Sequence, residues 1–257
     1  CKKEIEKYID KSIFLEGRNP IAAVVPHAGW YFSGRLAINS IKILREKNGL
    51  IKNIFVFGGH LSPNSMTLCE TFEIAETPLG DLTNNQEVLT FLKNEPDIQF
   101  VDYIPDNTIE ILLPIVKYFF PNVLVTALYL PPSLKSAKLV EKLYSNFGKE
   151  SLFLGSTDLT HYGPNYGMVR HDKSVPPYEW VKNTNDKNYV DLLLDMEGEK
   201  SLDYALKNRS ACSAGAALGA ITVAKLHNVK KGHLVGYSNS YEIRNDENFV
   251  GYTGVVY

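Results

Sequence analysis

The sequence predicts an α/β protein, a mostly parallel central sheet flanked by helices, in one domain spanning residues 1–257. Three observations carry this. Four short apolar runs, IAAVV (21–25), NIFVFG (53–58), VLVTALYL (123–130) and LFLGS (152–156), read as strands buried on both faces. Segments between and after them place apolar residues at helical spacing. No linker, internal repeat or low-complexity tract divides the chain.

The elements follow in order. Residues 2–10 form a short amphipathic helix before the strand 21–25. SGRLAINSIKILREK (33–47) is helical, with Ser33 placed to cap it. After the strand 53–58, the stretch 61–80 is polar and turn-rich, with a short pair of strands around Leu68–Ile74. A helix covers Asn84–Lys93. The next starts near Asp106, which can cap it, and Pro114 bends or divides it. Pro131 and Pro132 end the strand 123–130. Ser133 caps the following helix, LKSAKLVEKLYSNF, which stops at Gly148.

Beyond the strand 152–156, residues 162–185 are rich in Gly, Pro, Tyr and Asn and read as a long irregular loop, the kind usually tied to function. Helices are expected at 186–196 and 200–208. SAGAALGAITVAKLH (213–227) is a small-residue helix suited to close packing on a sheet. HLVGYSNS (233–240) and FVGYTGVVY (249–257) read as two antiparallel strands.

Composition excludes several classes. Apolar residues are 44% and charged residues 22%, which argues against disorder. The net charge of -2, with no Lys/Arg block, gives nucleic-acid binding no support. No apolar run reaches the roughly 18 residues that cross a bilayer. The charged, helical start does not read as a signal peptide. The chain begins at Cys1, not Met, so upstream residues are expected to have been lost. Truncation is the favoured reading, and a lipidated Cys1 the alternative. Three unevenly spaced cysteines, Cys1, Cys69 and Cys212, imply no disulfide framework and fit a reducing, cytoplasmic setting.

The chemistry lies at strand ends. IAAVV runs into His27, NIFVFGG into His60, and LFLGST into Asp158 with His161 three residues on. Ligands in open α/β sheets bind beyond the carboxyl ends of strands, so three strands deliver these groups to one edge. Cys212 precedes the helix 213–227, where backbone N–H groups and the helix dipole lower a thiol's pKa, so a thiolate there could be a metal ligand or a nucleophile. Two imidazoles and one anionic ligand suit non-haem iron, zinc or copper. Sulfur shifts the preference towards copper(I), zinc or redox-active iron.

Each residue also has a structural reading. His27 and His60 could be hydrogen-bonding groups after strands, although Gly58-Gly59 would let backbone approach a ligand at His60. Asp158 could cap a turn, and Cys212 could be a small buried hydrophobe. Glu110 reads first as a helix-start acid, and it could also reach the pocket edge. Trp30, Tyr31, Phe32, Tyr162 and Tyr166 could wall an aromatic or peptide pocket, or simply pack in the core. Cys69 reads as a buried or half-buried strand residue. His171, His227 and His233 have no supporting pattern and read as surface or structural. The dinucleotide fingerprint, the Walker motif, H-E-x-x-H and G-x-S-x-G are all absent.

PHAGWYFSG (26–34), GGH (58–60), ETPLGDL (76–82), STDLTHYG (156–163), Cys212 with its small-residue helix, and the closing YSNS…VGYTGVVY stand in one order along nearly the whole chain. In these motifs the sequence resembles the Memo family, also called AmmeMemoRadiSam system protein B. The resemblance implies a fold like that of the class III extradiol dioxygenases, which use non-haem iron(II). It assigns His27, His60 and Cys212 to metal binding, and Asp158 and His161 to catalytic pocket positions, with His161 as acid/base. A Cys where the dioxygenases use a Glu ligand speaks against ordinary ring cleavage. The chain departs from the family pattern at DNTIE (106–110), where Asn107 replaces a histidine, and at Ser213, where Gly usually follows the cysteine. It also lacks an N-terminal A-G-x-W-Y segment.

The expectation is a non-haem iron or copper redox protein, an oxygen-using oxidoreductase acting on a small molecule or modified residue. The alternative is a non-catalytic metal-handling or peptide-binding scaffold. The expected cofactor is iron(II) or copper(I), with zinc less favoured. The expected partner is a small-molecule or peptide ligand in the metal pocket, with no nucleic acid, and no membrane unless Cys1 carries a lipid.

Overall fold

A computed structural model describes residues 1–17, 19–47, 49–170, 172 and 174–257; His171 lies outside the described residues. Eleven strands are present among them: β1 (Ala22–Val25), β2 (Asn53–Gly58), β3 (Thr67–Glu70), β4 (Ile74–Ala75), β5 (Leu82–Asn84), β6 (Ile98–Val101), β7 (Leu124–Tyr129), β8 (Ser151–Ser156), β9 (His161–Tyr162), β10 (His233–Asn239) and β11 (Phe249–Val256). The main order is β10-β11-β1-β8-β2-β7-β3-β6. The four expected apolar strands form its centre, β1-β8-β2-β7, and are mutually parallel. Antiparallel pairing is confined to the flanks, with β11 on β1 and β10 on one side and β3 on β7 on the other.

The central strands read as continuous apolar runs because helices cover both faces. Successive side chains point to opposite sides. Ala22, Val24, Phe55, Phe57 and Phe153 enter one core with the helices Leu134–Phe147, Lys187–Leu194 and Ala214–Leu226. Ala23, Val25, Ile54, Val56, Leu152 and Leu154 enter the other, with the helices Trp30–Lys47 and Leu113–Phe119. The small-residue helix Ala214–Leu226 lies directly on β8: a Cβ added at Gly155 would stand 2.4 Å from the Ala216 carbonyl oxygen. That approach is the packing role expected of its composition.

Several boundaries differ from expectation. The second helix begins at Trp30, so Ser33 is inside it and does not cap it. Its hydroxyl instead donates to the Ala28 carbonyl. The helix expected at Asn84–Lys93 starts at Gln86: Asn84 closes β5, and Asn85 is the cap, accepting from the Glu87 and Val88 amides. β3 and β4 do not pair with each other. β3 joins β6 and β7, whereas β4 joins β5. Asp106 and Ser133 cap as expected, and the chain after Asp106 divides into Asn107–Glu110 and Leu113–Phe119, with Pro114 opening the second helix.

The expected loop 162–185 is helical at its C-terminal end. Pro177–Trp180 leads into a π-helical turn, Val181–Asp186, continuous with Lys187–Leu194. The wider turn turns two consecutive polar residues, Asn185 and Asp186, into the interior. Cys69 is buried on β3; His227 is exposed and hydrogen-bonded to Tyr144, and His233 opens β10. Among the described residues, no helix is long and apolar enough to cross a membrane.

Candidate metal centre

β1, β8 and β2 are neighbours, and their carboxyl ends place His27, Asp158 with His161, and His60 along one edge. Cys212 reaches the same edge from the segment before the helix Ala214–Leu226. Its amide donates to the Asp158 carbonyl (3.2 Å), and the Asp158 amide donates to Sγ (3.3 Å). His27, His60 and Cys212 each offer a ligand atom, and these atoms all lie within 4.8 Å of one another. Bonds of about 2.0–2.3 Å from one ion to nitrogen and sulfur set such donors roughly 3.4–3.8 Å apart at tetrahedral or trigonal angles, so the widest pair would close by up to about 1 Å. The two imidazoles stand edge to face, 5.2 Å between centroids.

Gly58 and Gly59 have a role the sequence reading did not foresee. A Cβ at Gly58 would sit 2.2 Å from Oγ1 of Thr108, so this glycine admits the short helix Asn107–Glu110 rather than a ligand. Gly59, at φ +112°, turns the chain so that its amide donates to that same Oγ1 (2.9 Å). The helix brings Asp106 to His60. One carboxylate oxygen accepts from the His60 amide (3.0 Å) and lies 3.2 Å from Nδ1, while the other accepts from the Thr108 amide. Asp106 is thus more than a helix cap: it orients His60, as outer carboxylates orient metal-binding histidines. Read from sequence alone, the segment offered only the capping signal.

His27 is buried. Its amide donates to Asp158 Oδ1 (2.8 Å), Nδ1 lies 3.0 Å from Ser156 Oγ, and Nε2 lies 3.3 Å from Cys212 Sγ. The Asn107 amide group holds the His27 carbonyl at 3.2 Å. Asp158 Oδ2 is 3.9 Å from Nε2.

Burial opposes charge on both His27 and Cys212, but each favours charge on the other. His27 is pushed up to about 9, desolvation being outweighed by the Cys212 thiolate and the Asp158 carboxylate. Hydrogen bonds donated to Asp106 and Cys212 raise His60 to about 10. The thiol of Cys212 falls well below its ordinary value: burial raises it, and His27 and His60 more than reverse this. Burial raises the Asp158 carboxyl, against the pull of His27. A metal ion entering this cluster competes with the imidazole protons.

Asp158 and His161 do not join the three donors. They line an adjacent cavity of about 350 Å³ with Ala28, Phe32, Asn107 and Tyr166. His161 Nδ1 faces the Leu159 carbonyl (3.1 Å), which can only accept, so Nδ1 is the donor of the neutral ring and Nε2 its acceptor atom. Of the five aromatics singled out, Phe32 and Tyr166 wall this cavity. Tyr162 is buried beside Phe249 and faces a different cavity, while Trp30 and Tyr31 border a third. Glu110 lines none of these and opens instead on a separate cavity beside Glu70 and Tyr129.

The sequence pattern described as Memo-like protein matches residues 1–256. The chain belongs to the Memo-like family. A MEMO1 family protein of Methanosarcina barkeri is 26% identical over 263 residues, covering 99% of this Memo-like chain and 92% of its own length. One from Thermococcus onnurineus is 26% identical over 255 residues, covering 93% and 87%. Among solved structures, the uncharacterized protein JW3007 from Escherichia coli K12 matches with a TM-score of 0.59 at 11% identity, covering 92% of this Memo-like chain and 99% of that one. That likeness extends to the fold alone.

Proposed function

We propose that this Memo-like protein holds one iron(II) or copper(I) ion through His27, His60 and Cys212 and uses it in redox chemistry on a small molecule. The observation that supports this is the set of partners behind the donors. Asp106 orients His60, Ser156 contacts His27 away from Cys212, and the Asp158 amide supports the sulfur. Three donors leave coordination positions open, and a thiolate with two imidazoles suits a soft or borderline ion. The ion would supply binding and activation of an oxidant such as oxygen.

The remaining chemistry belongs to side chains. The 350 Å³ cavity would seat the small molecule beside the donors, with Phe32 and Tyr166 as aromatic walls. Nε2 of His161 would accept its proton, and Asp158 would hold the His27 backbone in place. Anaerobic metal analysis tests this reading, paired with oxygen uptake on candidate phenols and thiols. Wild type should retain iron or copper, and H161Q should retain the metal but lose uptake. Protein with no affinity for either metal would refute it.

A second reading, metal handling without turnover, is favoured by one feature. The His60 side chain is 43% exposed and Cys212 partly so, leaving the ion open to exchange. It predicts fast transfer of copper(I) to a competing chelator and no oxygen uptake.

A further inference from the structure

Ser156 closes β8 with one hydroxyl proton to give. It gives that proton to the Thr108 carbonyl oxygen, in a short hydrogen bond. A carbonyl cannot donate, so the direction of this bond is fixed. The hydroxyl's other contact, 3.0 Å to Nδ1 of His27, must then run from ring to hydroxyl. We infer that Ser156 is the positioning residue of His27, an obligate acceptor that keeps the ring proton on Nδ1 and leaves Nε2 as the donor atom facing Cys212.

Both side chains are buried, so no water competes for the hydroxyl as acceptor. Flipping the ring would set a carbon against Ser156 and strand its acceptor site. The Thr108 carbonyl lies on the same short helix whose cap, Asp106, orients His60. One four-residue helix therefore sets both imidazoles, His60 through a carboxylate and His27 through a neutral hydroxyl relay. Asn107, next to that cap, fastens the His27 backbone as well. The relay differs in kind from the Asp106 contact: a hydroxyl fixes the tautomer without adding negative charge behind the ring.

The inference rests on the metal reading for its consequence but not for its geometry, and the test separates the two. Histidine-labelled wild type, S156A and S156T are compared by long-range proton–nitrogen NMR, metal-free at alkaline pH and loaded with zinc(II) or copper(I). Chelator competition measures affinity, and circular dichroism checks folding. In wild type, His27 should carry its proton on Nδ1 in both states, with slow exchange. S156A should lose slow exchange and bind metal roughly 10–100-fold more weakly, and S156T should recover both. A wild-type ring protonated on Nε2, or S156A with undiminished affinity and slow exchange, would overturn the assignment. If wild type binds neither metal, the functional reading falls, while the metal-free tautomer still decides the role of Ser156.

Discussion

Sγ of Cys212 stands 3.3 Å from Nε2 of His27, although 185 residues separate the two. The first belongs to a helix approach on one face of the sheet and the second to the end of β1. His60 completes the cluster from β2.

Replacing the sulfur should abolish tight binding. C212S keeps size and a hydrogen-bonding atom but offers a poor ligand in place of a thiolate. Copper(I) affinity, read by chelator competition, should fall at least roughly 100-fold, more than outer partners usually contribute, with the circular dichroism spectrum unchanged. Equal affinity would remove Cys212 from the metal.

Asp106 has two roles that one substitution divides. Asparagine caps helices nearly as well as aspartate, so D106N should keep the short helix, with the circular dichroism spectrum unchanged. It withdraws the charge that orients His60, so metal affinity should drop roughly 10–100-fold. A purely structural Asp106 would leave affinity intact.

Gly155 tests the close seat of the small-residue helix on β8. G155A drives a methyl into the Ala216 carbonyl. Urea denaturation should show a loss of about 1–3 kcal/mol. Unchanged stability would mean the helix sits farther from the sheet.

Asp186 should make stability depend on pH. It is buried against Gly251 of β11, with Thr160 and Tyr237 donating to its carboxylate. Burial pushes it up to about 7 from 3.8, outweighing those hydrogen bonds. Between these values the folded chain keeps a proton that the unfolded chain has released. The contribution is thus whole below about 3.8 and is lost as pH rises towards 7. From pH 5 to 8 the wild type should lose roughly 3 kcal/mol relative to D186N, measured by urea unfolding at each pH. Parallel profiles for the two proteins would contradict a raised carboxyl.

The sheet's centre was legible because burial on both faces leaves an unbroken apolar run, as in NIFVFG. The strand ends followed, and with them His27, His60, Asp158 and His161. Short flanking strands were not legible: β5 has three residues and β9 two, too few for a period to register. The helix around Val181–Asp186 was hidden by polar composition, since a π turn buries Asn185 and Asp186 where a regular pattern would show apolar residues. In the site, His27, His60, Cys212 and Asp158 carried a sequence signal, whereas Ser156 and the orienting role of Asp106 did not. Ser156 and Asp106 act through contacts 129 and 46 residues away in the chain, and only folding reveals them.

X-ray absorption at the metal edge tests the convergence of the three donors most directly. Wild type loaded anaerobically with copper(I), and separately with iron(II), should show one sulfur and at least two imidazole nitrogens around the ion, and C212S should lose the sulfur. Wild-type and C212S spectra that coincide, with only nitrogen and oxygen neighbours, would contradict a metal bound between His27, His60 and Cys212.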